Sequence, residues 1–222
     1  ASNMEDNNTS SEQAPRKRKL SWQLPFLLFL IVATVLIINR HRPHVAPYQR
    51  SEGTVFGTLF HATYQSDSSL YAEIMDVLRR VDASLSMFNP KSTLSRINSG
   101  ETSEVDSLLA FVFTQSQQIS KATDGCFDVT VAPLVNAWGF GFKNGALPDS
   151  SQVDSLLTFV GWEKASLDGR VLRKDDERMV LDFSAIAKGF GVDQVASLFN
   201  RLHVANYMIE IGGEVVVKGL NP

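Results

Sequence analysis

The stretch VLDFSAIAKGFGVDQV, residues 180–195, gathers Asp182, Ser184, Lys188, Gly189 and Gly191 where an apolar strand-like run gives way to an amphipathic one. A carboxylate there can accept hydrogen bonds from a polar ligand edge, and the free amides and positive end of a starting helix attract anions. A lysine one turn in adds a cation, and a glycine beside it lets backbone come close. Two readings follow. One is a capped helix start with nothing bound, and the other is a cradle for an anionic ligand. This stretch alone leaves both open.

Three further stretches show the same kind of composition. DGCFDVTVAPLVNAWGFG, residues 124–141, sets Asp128, Thr130, Pro133 and Trp138 in a run that reads as too irregular for a helix. Its aromatics, Phe127, Trp138, Phe140 and Phe142, suit a planar ring or a core equally well. SLSMFNPKSTLSRIN, residues 84–98, puts Ser86, Phe88, Asn89 and Asn98 just past a helical pattern. EIGGE, residues 210–214, brackets a glycine pair with Glu210 and Glu214.

The elements that must hold these residues are legible from periodicity. Residues 54–65 read as one strand, with Gly57 a close-approach point or bulge. Leu70, Ile74, Val77, Leu78, Val81 and Leu85 recur at helical spacing and predict an amphipathic helix with that face in the core. A second helix is expected over 104–122 with Ser103 as N-cap, stopped by TDG, and a short one after Pro148 and Asp149. Asp168-Gly169 predicts a hairpin, residues 179–183 a strand, and Ser184 the N-cap of a helix reaching about residue 202. Two strands joined at Gly212-Gly213 close the series. Strands and helices of this mixture predict an α/β fold of the α+β type.

With 222 residues and 44% apolar content the chain can bury one sizeable core. The net charge is −3, but from residue 51 onward 14 Lys/Arg face 21 Asp/Glu, a net of −7. Such an acidic body excludes non-specific nucleic-acid binding. Cys126 is the single cysteine, so there is no disulfide framework and no CxxC metal site. Residues 20–38 are nineteen uncharged residues, about 28 Å as a helix, behind the basic run Arg16-Lys17-Arg18-Lys19. They predict a transmembrane anchor with the N-terminus in the cytoplasm and the body outside, the alternative being a cleaved signal peptide. The expected division is a polar cytoplasmic N-terminus over 1–19, the anchor over 20–38, a tether over 39–52 and a body over 53–222.

Taken in order, LSMFNPKSTLSRIN, TDGCFDVTVAPLVNAWGFG, LDFSAIAKGFGVD and IEIGGEVVVKGLNP resemble the FAD:protein FMN transferase (ApbE-like) family. The resemblance implies a T-fold-like flavin-transferase domain, attached to the bacterial inner membrane and facing the periplasm. It implies a Mg2+-dependent reaction that splits FAD, attaches FMN through a phosphoester to a Thr or Ser of a partner flavoprotein of a membrane redox complex, and releases AMP. The alternatives are an FAD pyrophosphatase giving FMN and AMP, and a non-catalytic flavin-binding protein. By resemblance the FAD contacts fall on Phe56, Phe88, Cys126, Phe127, Asp128, Asp182 and Lys188, and a Mg2+ contact falls on the Ala185 carbonyl. By the resemblance, family members more often carry Ala where Cys126 stands, and some carry an acid where Lys188 stands, which points Lys188 to a positioning role and not to phosphate neutralisation. They also continue past GLNP, in a part that supplies two aspartates and a hydroxyl to the Mg2+ site, so the 222 residues alone are expected to be inactive.

Overall fold

The computed structural model describes residues 23–40, 44–140 and 147–220. Two compact units divide the chain at Val45-Ala46. The expectations for residues 1–22 and for Phe142 fall outside the described residues.

The first unit contains helix α1 (Gln23–Arg40), 18 residues long. Its large apolar side chains, from Leu24 to Ile38, are exposed. Among the described residues no helix is long and apolar enough to cross a membrane. The first three residues of the nineteen-residue uncharged run, 20–22, lie outside what is described.

The second unit is built on a four-stranded antiparallel sheet in the order β1 (Tyr48–Val55), β2 (Thr58–Gln65), β5 (Tyr207–Ile211), β6 (Glu214–Lys218). Strands β1 (Tyr48–Val55) and β2 (Thr58–Gln65) form a hairpin, where the periodicity predicted a single strand over 54–65. The two-residue turn is Phe56-Gly57, both at positive φ, 52° and 73°. That is the geometry whose twist matches a hairpin, and Gly57 adopts it freely. A phenylalanine in this region stores strain on the order of 1–3 kcal/mol. Residues 48–52, expected in the tether, belong to β1 because each pairs in register with β2.

Helix α2 (Tyr71–Leu85) buries Ile74, Val77, Leu78, Val81 and Leu85, as its spacing predicts. Short α3 (Thr93–Asn98) follows, then α4 (Ser107–Ala122). The cap of α4 is Asp106, not Ser103. Its carboxylate accepts from the Leu108 and Leu109 amides at 2.9 Å each, from the Ser84 hydroxyl at 2.7 Å and from the Thr93 hydroxyl at 2.6 Å. One side chain thus ties α2, α3 and α4.

Residues expected to be irregular contain α5 (Ala132–Ala137), with proline in the first turn, where its missing N–H does no harm. Helix α6 (Ser150–Leu157) starts at a capping box of Asp149 and Gln152. The expected hairpin is present as β3 (Ala165–Asp168) and β4 (Val171–Lys174). Residues 179–183 are not a strand. Met179, Leu181 and Phe183 are fully buried, which is what the alternating pattern detects. The backbone bonds of Leu181, however, go to the Asn98 side chain and not to a neighbouring strand. Helix α7 (Ser184–Arg201), strand β5 (Tyr207–Ile211) and strand β6 (Glu214–Lys218) complete the unit.

Helices α2 and α7 cover one face of the sheet. Phe60, Ile74, Leu78, Val195, Phe199, Ile209 and Ile211 pack between them. A second apolar cluster joins α2, α3 and α4 to the β3–β4 hairpin and to residues 179–183. Phe56 packs against both clusters, and its burial opposes the strain of its turn.

Candidate functional site

The Phe56 turn, the end of α2 and the first turn of α7 enclose a cavity of about 140 Å³. Phe56, Val81, Leu85, Met87 and Phe88 form apolar walls, and Ser184, Ala187 and Lys188 bring the α7 start to one side. Such a volume is below the roughly 300–1,000 Å³ of a whole small-molecule site, so it takes a planar ring or one end of a larger ligand. A larger cavity, about 770 Å³, lies instead beside Pro133, Leu156, Phe159 and Arg178 and is lined by none of the expected site residues. Its one cation, Arg178, is already forked onto Asp176, which is held down at about 2 by that guanidinium.

Each wall has a local cause. The Phe56 ring fits because Gly191 on α7 has no side chain, and a Cβ there would stand 2.8 Å from Phe56 Cε2. The turn that presents Phe88 is built by serines. Ser86 Oγ accepts from the Phe88 and Asn89 amides at 3.3 and 3.2 Å, and the Ser86 carbonyl accepts from the Ser92 and Ser95 hydroxyls. Asn89 is anchored back onto Asp82 at 2.8 Å. Phe88 consequently points outward, 72% exposed.

Lys188 Nζ donates to the Gly212 carbonyl at 3.1 Å and lies 3.5 Å from Glu214. It therefore couples α7 to the β5–β6 turn, which fits a positioning role better than that of a free phosphate-neutralising cation. Glu210, the other acid of EIGGE, accepts from His61 at 2.9 Å and from the Gly213 amide at 2.5 Å. These bonds hold its carboxyl below the ordinary value.

Asp182 is half-buried and its Oδ1 accepts from the Ser184 amide at 2.7 Å. Phe183 occupies the N-cap position, Asp182 holds the first helical amide from one residue further out, and Ser184 is the first helical residue, not the N-cap. The capped-start and cradle readings are compatible, because the capping bond engages one carboxylate oxygen.

Cys126, Phe127 and Asp128 do not line the cavity. Cys126 is exposed. Phe127 packs on the cluster shared by Phe56, Ile186 and Phe190. Asp128 is a turn builder, with Oδ1 accepting from the Thr130 amide and hydroxyl at 2.7 Å each and Oδ2 from the Trp162 amide at 3.0 Å. The turn reaches the site through Val129, whose carbonyl accepts from the Asp182 amide at 2.7 Å. Trp138 and Phe140 are exposed.

Ala185 lies exposed in the first turn of α7 and offers at most a backbone carbonyl. Among the described residues no group of three or more His, Cys, Asp or Glu side chains could hold a metal ion. Mg2+ requires near-octahedral oxygen coordination, commonly with one or two carboxylates, so these residues do not by themselves fit it. Sequence reading missed Val81 and Leu85 as wall residues, because at helical spacing they are indistinguishable from core, and missed Met87, which lies in the turn just past α2. The serines of SLSMFNPKS were the available signal for the Phe88 turn.

Residues 56–222 match the ApbE family. The FAD:protein FMN transferase of Haemophilus influenzae is 38% identical over 186 residues, 76% of this chain and 54% of that protein. The protein of the same name from Vibrio cholerae is 33% identical over 205 residues, 87% of this chain and 61% of that one. Among solved structures, Flavin Transferase ApbE from Vibrio cholerae superposes with a TM-score of 0.73 at 34% identity, over 79% of this chain and 61% of that one. The apo flavinyl transferase ApbE of Pseudomonas stutzeri superposes at 0.74 and 27% identity, over 82% and 61%. The chain spans a little over half the length of these relatives. The mixed α/β fold and the motifs that build the cavity together establish that the chain belongs to the ApbE family.

Proposed function

We propose that the protein acts as a flavin transferase on FAD. A Thr or Ser hydroxyl of an acceptor flavoprotein attacks the FMN phosphorus, a phosphoester forms, the pyrophosphate P–O bond breaks and AMP leaves, while the hydroxyl proton passes to a base. The observation that carries this reading is the convergence of Phe56, Phe88 and Lys188 on one cavity at the start of α7, in a chain of this family. The two rings would hold flavin, and the α7 amides with Asp182 would meet polar ligand atoms. Catalysis of phosphoryl transfer is mostly positioning and charge stabilisation. Mg2+ would be a requirement of the whole enzyme, with the Ala185 carbonyl supplying one oxygen ligand.

The proposal extends to place. The uncharged run over 20–38 and the basic residues before it support an anchor in the bacterial inner membrane with a T-fold-like body on the periplasmic side, where the acceptor would be a subunit of a membrane redox complex. Carbonate-washed membranes carrying the full-length protein, given FAD, Mg2+ and an acceptor flavoprotein domain, test both parts. Protein-linked flavin fluorescence with release of AMP is the expected result. Free FMN with AMP would mean a pyrophosphatase, unaltered FAD a binding protein, and activity only in the wash a body without an anchor.

A further inference from the structure

Three of the motifs meet at the backbone of Leu181 and Asp182. From the end of α3, the Asn98 carboxamide donates to the Leu181 carbonyl at 2.8 Å and accepts from the Leu181 amide at 2.9 Å. From the Asp128 turn, the Val129 carbonyl accepts from the Asp182 amide at 2.7 Å. Leu181 and Phe183 are fully buried on either side of Asp182. A donor and an acceptor from one side chain to one residue reproduce what a neighbouring strand would supply, and they do so across 83 positions of sequence. The segment therefore needs no ladder, and Asp182 and Ser184 sit where Asn98 and Val129 put them.

We infer that Asn98 is a positioning residue for the flavin site: its two bonds to Leu181 set Asp182 and the first turn of α7, which present Ser184, Ala187 and Lys188 to the cavity. The inference rests on the flavin reading of that cavity. The side chain required is narrowly defined. Aspartate has the same shape but, ionised, opposes an acceptor to the Leu181 carbonyl. Glutamine is one methylene too long, and alanine makes neither bond.

The test compares Asn98→Asp and Asn98→Ala with wild type and with Ile74→Val, in the whole 222-residue chain. Ile74 is buried in the other apolar cluster and lines no part of the cavity. FAD affinity is read from flavin fluorescence at a temperature where all four proteins are folded. The geometry of the bound flavin is read from its visible circular dichroism at saturation, and the hold on the segment from exchange of the Leu181 and Asp182 amides. Both Asn98 variants should weaken FAD by at least about tenfold, the loss of a pair of hydrogen bonds from a preformed site. They should also alter the dichroic bands and speed exchange at the two amides by at least about tenfold. Ile74→Val should lower the melting temperature and leave all three readings unchanged. Wild-type affinity and dichroism in Asn98→Ala, or equal weakening in Ile74→Val, would overturn the inference. Failure of the wild-type chain to bind FAD would count against the flavin reading instead, and the exchange rates would then decide alone whether Asn98 holds the segment.

Discussion

Asp182→Asn is expected to weaken FAD binding by ten- to a hundredfold while leaving the melting temperature almost unchanged. The two effects separate because the carboxylate does two things with two oxygens. Oδ1 accepts from the Ser184 amide, and an asparagine carbonyl oxygen reproduces that bond, so folding stability should change by less than about 0.5 kcal/mol. The other position becomes an amide donor without charge. If it serves a bound ligand, the loss is that of a charge-assisted hydrogen bond, about 1.5 to 3 kcal/mol. Ser184→Ala is the informative companion. Had Ser184 been the N-cap its loss would cost about 1 kcal/mol, but the N-cap position is Phe183 and Asp182 holds the Ser184 amide from outside, so the substitution should be close to neutral in melting curves. An affinity for FAD equal to that of wild type in Asp182→Asn would reduce this carboxylate to a helix cap.

The second large effect concerns stability. Asp106→Ala should lower the stability of the folded body by about 2 to 3 kcal/mol in denaturant titrations, from loss of an N-cap and of the acceptor for two inward-facing hydroxyls. Ser84, on α2, is itself buried, so its hydroxyl would be left without its partner. Burial pushes the Asp106 carboxyl up, but the Thr93 hydroxyl, the Leu109 amide, the Ser84 hydroxyl and the Leu108 amide together hold it below its ordinary value. A carboxyl lowered on folding stabilises the protein above its unfolded value, and that stability is lost as pH falls through the folded one. Wild type should therefore lose stability below about pH 4, and Asp106→Ala should lose less over the same window. Parallel acid curves for the two proteins would remove Asp106 as a source of acid sensitivity.

What could be read in advance follows from which interactions are local. Helices α2 and α7 and the β5–β6 pair announce themselves through periodicity and a glycine pair, signals contained within a few turns of chain. The Phe56-Gly57 hairpin does not, because nothing in sequence marks a phenylalanine at positive φ; its stability comes from two apolar clusters and the vacancy at Gly191. Residues 179–183 carry a strand's alternation, yet the partner of Leu181 is a side chain far off in sequence. The cap of α4 falls on Asp106, three residues past the expected Ser103, because both are good caps and the hydroxyls on α2 and α3 make the choice. The site divides in the same way. Phe56, Phe88 and Lys188 come together at the cavity, Asp182 stands beside it through Ser184, and the Asp128 turn meets Asp182 through the Val129 carbonyl, whereas Phe127 packs in the second apolar cluster and Cys126 is exposed.

Fluorescence titration of the wild-type chain with FAD and with FMN tests the flavin site most directly, because a transferase that expels AMP must hold the adenylate half as well as the ring. Saturable binding of FAD, at least about tenfold tighter than FMN and lost in Phe56→Ala, is the result expected of a site whose ring wall is Phe56. Equal affinity for the two flavins, or FAD binding indifferent to the loss of Phe56, would contradict it.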